Sequence, residues 1–138
     1  MFQANDATCG HACLMTALLR LRREIPPDLV ELAGRARVGL TARELVALSR
    51  QVGLPARVLA VPADCLERAL VQVSLPSIAL VGTHYVLVEE PPSAGFLVVV
   101  DPAIGRMRTP IARLVRQWRG VMVVLGENAG AATVCEQP

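Results

Sequence analysis

The sequence predicts an α+β fold in which N-terminal helices pack against a C-terminal antiparallel sheet. As far as about residue 71, apolar residues recur at helical spacing between Pro and Gly breaks and capping side chains. From residue 77 the chain turns into short runs rich in Val, Ile and Leu, bounded by Gly and Pro. Helices first and a sheet afterwards is the α+β order. Composition says what fills the core. Of 138 residues 53% are hydrophobic, 19% charged and 3% aromatic, so one domain can bury Leu, Val, Ile and Ala without disulfide support. The expected domain is 1–126, followed by a flexible tail, 127–138.

The first helix is expected to open at Cys9. Asn5, Asp6 and Thr8 ahead of it are cap and turn formers, and Ala12, Cys13, Ala17 and Leu21, with Leu14 and Leu18 alongside, recur at helical spacing. It ends near Arg22 and Arg23. Pro26 and Pro27 break the chain, Asp28 reads as the cap of a short helix at 29–36, and Gly39 ends that connection. Thr41 and Glu44 have the form of a capping box, opening a helix that presents Leu45, Leu48 and Val52 and stops at Gly53. Residues 55–61 read as a strand, and Pro62, Ala63 and Asp64 start a helix through about Val71. Strands are expected at 77–81, 84–89, 96–101 and 121–125. Between the last two, Thr109 and Pro110 read as the N-cap and first residue of a helix through Gln117, with Trp118 packing at its end.

Several function classes are excluded by charge and hydropathy. A net charge of +2, with arginines scattered rather than gathered with aromatics, does not suggest nucleic acid. The most apolar region, 69–82, is interrupted by Gln72, Ser74, Pro76 and Ser77, short of the roughly 18 apolar residues of a membrane span. The N-terminus has no basic stretch leading into an apolar one, so no secretory signal is read and a cytoplasmic location with reduced thiols is expected. Cysteines at 9, 13, 65 and 135 form neither a dense disulfide framework nor paired CxxC ligands. Free thiols, no metal and no cofactor are the expectation.

The chemistry is expected at QANDATCGHACL, residues 3–14. A cysteine in the first turn of a helix meets unpaired N–H groups and the positive end of the dipole, which favour the thiolate. Gly10 leaves space beside the sulfur for a substrate carbonyl. A base must come from His11 or His84, and His11, two positions along the same helix, points elsewhere. His84 opens a strand whose hairpin, folded about Pro92 and Ser93, is expected to bring it roughly opposite Asp101. A carboxylate on one ring nitrogen fixes the tautomer, leaving the other to take the thiol proton. Asp101 also reads singly as a turn residue before Pro102, and His84 as a satisfied sheet histidine. The Gln3 amide, with the Cys9 backbone N–H, could hold the oxyanion of a tetrahedral intermediate.

Together these residues resemble the C39 peptidase family, papain-like cysteine proteases that remove leader peptides from bacteriocin and related precursors, commonly after a double glycine. The resemblance spans Gln3 to about Leu125 and rests on the glutamine six positions before Cys9, CGHACL at 9–14, THYVLV at 83–88, VVVDPAIG at 98–105 and WRGVMVVL at 118–125. It implies a papain-like fold with Cys9 as nucleophile, His84 as base, Asp101 as its orienter and Gln3 in the oxyanion hole. Two departures stand out. Thr8 occupies the place where the family usually has Asp, and neither the membrane spans nor the ATPase of exporter-fused relatives follows. The implied protein is a stand-alone C39-type peptidase, or one working with a separate ABC exporter, and its partner is a precursor peptide carrying a leader.

Other residues have plainer readings. Cys13 reads as a small core residue, since cysteines at i and i+4 without a second pair are a weak metal pattern. Cys65 reads as lining a helix face and Cys135 as an incidental thiol. Arg20, Arg22, Arg23, Arg35 and Arg37 read as solvated, and Glu89 and Glu90 as surface residues on opposite strand faces. Two competing functions share the residues: a leader-peptide-binding module that does not cleave, and a cysteine amide hydrolase or transferase acting on another substrate.

Overall fold

The computed structural model describes residues 9–36, 39–73, 75–102 and 104–126. Gln3, Asn5, Asp6, Thr8, Arg37, Cys135 and the expected tail lie outside the described residues. In chain order the elements are α1 (Cys9–Arg20), α2 (Pro27–Arg35), α3 (Ala42–Gln51), β1 (Ala56–Ala60), a 3-10 turn (Ala63–Cys65), α4 (Leu66–Gln72), β2 (Ser77–Val81), β3 (His84–Val88), β4 (Phe96–Asp101), β5 (Gly105–Pro110), α5 (Ile111–Gln117) and β6 (Trp118–Leu125).

The strands form one six-stranded sheet in the order β1-β6-β2-β3-β4-β5, and each neighbouring pair is antiparallel. Because successive side chains point to opposite faces, the sheet supports a hydrophobic cluster on each side. On one face Ile78, Leu87 and Val123 pack with Leu14 and Leu18 of α1 and Leu45 of α3. On the other, Val86, Val99 and Met122 pack with Leu66 and Leu70 of α4 and Leu114 of α5. Helix α1 buries nearly its whole circumference, Cys9 through Met15 and then Ala17 and Leu18.

The capping box forms as expected. The Thr41 hydroxyl accepts from the Glu44 N–H at 3.1 Å, and the Glu44 carboxylate accepts from the Thr41 N–H at 2.9 Å. At the other end of α3, Gly53 takes φ +88°, the left-handed turn-out that a side chain would resist. At α2, Pro27 takes the first helical position and Pro26 makes no side-chain cap bond, so Asp28 lies inside the first turn instead of capping it. The expected helix from residue 62 begins with a 3-10 turn before α4.

Strand β5 was not expected. Its GRMRTP sequence carries no β-branched run, yet it pairs along the whole of β4, from Phe96↔Pro110 to Asp101↔Gly105. Arg106 and Arg108 and the closing proline blunt this exposed sheet edge. The strand takes up Thr109, which therefore caps nothing, and α5 starts at Ile111. Trp118 does pack at the end of α5, donating its indole N–H to the Val61 carbonyl at 2.6 Å. Two further expectations change. Cys9 and Cys13 are thiols, but Cys65 is disulfide-bonded, and a single bridge leaves no spacing signature to read. The Glu89 side chain is 6% exposed and ion-paired to Arg20 and Arg106, so it is not a surface group.

Thr41→Ala is expected to lower unfolding stability by about 1 kcal/mol in urea denaturation at neutral pH. Glu44's pKa is lowered first by its hydrogen bond with Thr41. Its contribution is therefore present above the ordinary glutamate pKa and is lost as pH falls through the depressed folded value. The gap between the parent and Thr41→Ala should narrow over that acid window.

Candidate active site

The first residue of α1 lies against β3. The Cys9 sulfur accepts a hydrogen bond from the Tyr85 backbone N–H at 3.5 Å, so it sits one peptide bond from His84. Strand geometry supplies the donor. Gly82, at φ +63°, and Thr83 make the tight turn between β2 and β3, with Val81 opposite His84 and Leu80 opposite Tyr85. Antiparallel pairs alternate between bonded and non-bonded, which turns the Tyr85 N–H away from β2. The β3–β4 pairs are Leu87↔Val100 and Val88↔Val99, so that N–H goes to the sulfur instead of a ladder.

His84 Nε2 and Asp101 Oδ1 are 2.8 Å apart, with the side chains 23% and 10% exposed. The hairpin brings them together by a different register from the expected one. Extending the observed pairs puts Asp101 beside Val86, two residues from His84 on the same face, so the contact is diagonal. The Gly82 N–H, donated to the Gln117 carbonyl at 2.8 Å, ties the turn before His84 to the end of α5. Alternation sets His84 with Val86 and Val88, and Asp101 with Leu97 and Val99, on the face opposite the α1 cluster. The pair opens onto a cavity of about 510 Å³ lined by Val86, Val99, Met107, Leu114 and Arg113, with the largely exposed Ile104 at its rim.

Of the expected site residues, then, His84 and Asp101 are in contact, Cys9 adjoins the strand carrying His84, and Gln3 lies outside the described residues. Sequence reading missed Tyr85. It is 5% exposed, its hydroxyl donates to the Leu40 carbonyl at 2.9 Å, and its ring is 3.4 Å from where a Cβ on Gly10 would stand. A Tyr within an alternating apolar strand gives no signal beyond packing.

The local fields are set by burial and negative charge. Burial raises the Cys13 thiol well above its ordinary pKa, and charges on Cys9 and Asp101 add to the effect. Burial, followed by charges on Cys9, Cys13 and Glu44, pushes Tyr85 up to about 12, so its hydroxyl stays a donor. Burial lowers the His11 pKa, and its Nδ1 has no hydrogen-bond partner among the described residues. His11 is thus a buried side chain of α1, where burial disfavours its charged form. Among the described residues no group of three or more His, Cys, Asp or Glu is arranged to hold a metal.

A family model described as the peptidase C39 family matches residues 1–130. Curated protein sequences return no match. Among solved structures, a double glycine motif protease from an AMS/PCAT transporter, in complex with the leader peptide, is similar with a TM-score of 0.77 at 20% identity, covering 91% of this chain and 88% of that one. The peptidase domain of Streptococcus ComA, a bi-functional ABC transporter, matches with a TM-score of 0.74 at 21% identity, covering 90% and 94%. The N-terminal peptidase C39 like domain of a toxin secretion ATP-binding protein from Vibrio parahaemolyticus gives 0.64 at 14% identity, over 90% and 99%. These likenesses bear on the fold, which is α+β and papain-like.

Cys13 is 0% exposed and its thiol is held protonated, so iodoacetamide at pH 7–9 should leave it unmodified in the folded chain and label it only after denaturation. Peptide mass mapping before and after unfolding checks this, and labelling of Cys13 in the folded chain would contradict it.

Proposed function

Because this chain belongs to the peptidase C39 family, we propose that it is a cysteine endopeptidase that removes the leader from a ribosomally made precursor peptide, cutting after a Gly-Gly-type site. One observation carries the reading: the 2.8 Å His84–Asp101 contact stands on the strand whose next N–H meets the Cys9 sulfur.

The mechanism follows from which atoms are engaged. An N–H on His84 Nε2 donated to the Asp101 carboxylate makes Nδ1 the ring nitrogen that exchanges a proton with the thiol. Cys9, deprotonated by Nδ1 and stabilised by the Tyr85 N–H and the α1 N-terminus, attacks the carbonyl carbon. The carbonyl oxygen takes up the negative charge, and in this reading the Gln3 amide and the Cys9 N–H receive it. The imidazolium protonates the leaving amine and the C–N bond breaks, leaving an acyl-enzyme. Water, deprotonated by His84, then releases the leader and restores the thiol. The cavity beside His84 and Asp101 is where the peptide would lie. A separate ABC exporter is the partner that would take up the processed product. No helix among the described residues is long and apolar enough to cross a membrane.

Cys9→Ala should abolish cleavage of a co-encoded precursor, with mass spectrometry reading the leader and the mature peptide. Cleavage at an unchanged rate would refute the proposal. Tight leader binding without any mass change would make the protein a binding module. Asp101→Asn should lower kcat by about 10²- to 10⁴-fold, because an amide does not select the imidazole tautomer. A Gly-terminated peptide aldehyde or nitrile should form an adduct on Cys9, readable as an intact mass shift.

A further inference from the structure

Tyr85 joins three parts of the molecule that meet at the nucleophile. Its N–H is donated to the Cys9 sulfur, its ring lies over Gly10, and its hydroxyl is donated to the carbonyl of Leu40. Leu40 immediately precedes Thr41, the N-cap whose reciprocal bonds with Glu44 fix the start of α3. The Leu40 side chain also reaches Gly10, with Cδ1 3.5 Å from a Cβ built there. A continuous set of contacts thus runs from the capped end of α3 through Leu40 and Tyr85 to the first turn of α1.

The backbone around Tyr85 is laddered on one side only, to β2. It follows directly on the Gly82–Thr83 turn, and the pairing of β3 with β4 begins only at Leu87. On the β4 side, therefore, no ladder bond holds the Tyr85 N–H where the sulfur needs it. A hydrogen bond from a neutral amide to a sulfur is directional, and a shift of a few tenths of an ångström weakens it. The phenol hydroxyl is the polar anchor that sets the depth of this residue in the sheet.

We propose that Tyr85 is a positioning residue for the nucleophile: its hydroxyl bond to Leu40 holds its own backbone N–H on the Cys9 sulfur and so stabilises the thiolate. The inference rests on the reading of Cys9 as the nucleophile. Tyr85→Phe keeps the ring over Gly10 and removes only the anchor. The Cys9 thiolate then loses part of its donor, while the surface that meets the peptide stays as it was.

The test is the pH dependence of Cys9 alkylation by iodoacetamide, followed by mass spectrometry, alongside kcat, KM and Tm for the intact chain and Tyr85→Phe. The variant should titrate about one unit higher in Cys9 alkylation, equivalent to about tenfold less thiolate below the pKa, with kcat reduced and KM nearly unchanged. A lower Tm with a superimposable alkylation profile and unchanged kcat would mean Tyr85 only packs, and overturns the proposal. Should Tyr85→Phe fail to fold, Leu40→Gly loosens the same anchor from the half-buried side. An unmoved profile there overturns the proposal equally. If instead the intact chain cleaves no precursor and Cys9 titrates as an ordinary thiol, the functional reading fails and this inference falls with it.

Discussion

Helix α1 is moored at both ends to a single strand. Its first residue places its sulfur on the Tyr85 N–H, and its last, Arg20, is ion-paired to Glu89 one residue beyond β3. The lengths agree: Cys9 to Arg20 spans about 17 Å of helix, Tyr85 to Glu89 about 13 Å of strand, and an arginine side chain covers the difference. Between the moorings Leu14 and Leu18 are buried against the sheet. Glu89 is itself held by Arg106 of β5, at 3.2 Å, which extends the tie to the sheet edge. Sliding α1 along β3 would strand a nearly buried carboxylate at one end and withdraw the sulfur from its donor at the other. The position of Cys9 relative to β3 is therefore set by the whole length of α1.

The sheet divides the labour of the site. Tyr85 faces α1, while His84 and Asp101 belong to the opposite face and border the cavity beneath α5. Only at the end of β3, beside the β2–β3 turn, can groups from both faces meet. That turn is held from outside by the Gln117 carbonyl. Cys9, packed with one layer, meets the N–H of the residue that follows His84, whose ring contacts Asp101 on the other face. The cavity wall is mixed: Val86, Val99, Met107 and Leu114 supply apolar surface, while Arg108, Arg113, Thr109 and Gln117 add polar groups beside the His84–Asp101 pair.

The same arrangement of layers accommodates large changes in sequence. Identity of 14–21% with the peptidase domains of exporters accompanies TM-scores of 0.64–0.77. The demands of such a fold fall on pattern: apolar positions alternating on six strands, a buried α1, and turn residues where φ is positive. In this chain the demands are met almost wholly with aliphatic side chains, and aromatic residues make up 3% of it. One of those few, Tyr85, stands beside the Cys9 sulfur.

The start of α1 and both ends of α3 were legible because their chemistry is local. Thr41, Glu44 and Gly53 mark α3, and the run from Cys9 to Leu18 marks α1. Five strands could be read, the four after residue 76 from Val, Ile and Leu bounded by Gly and Pro. The C39 resemblance likewise lay in short strings around Cys9, His84 and Asp101, and the matching family model covers the same stretch. What the residues alone could not disclose depends on partners distant in the chain. Strand β5 exists because β4 offers it an edge, although Gly105 and Pro110 bound it and no apolar alternation marks it. The His84–Asp101 contact is diagonal because the β3–β4 register is decided by the sheet on both sides. The Glu89 side chain is covered where Arg20 and Arg106 converge on it. The sequence by itself determined the fold class, the start of α1, the capped ends of α3 and the residue types of the candidate site. Tertiary structure alone decided the register, the ion pairs and Tyr85's place at the sulfur, because each needs two segments to meet.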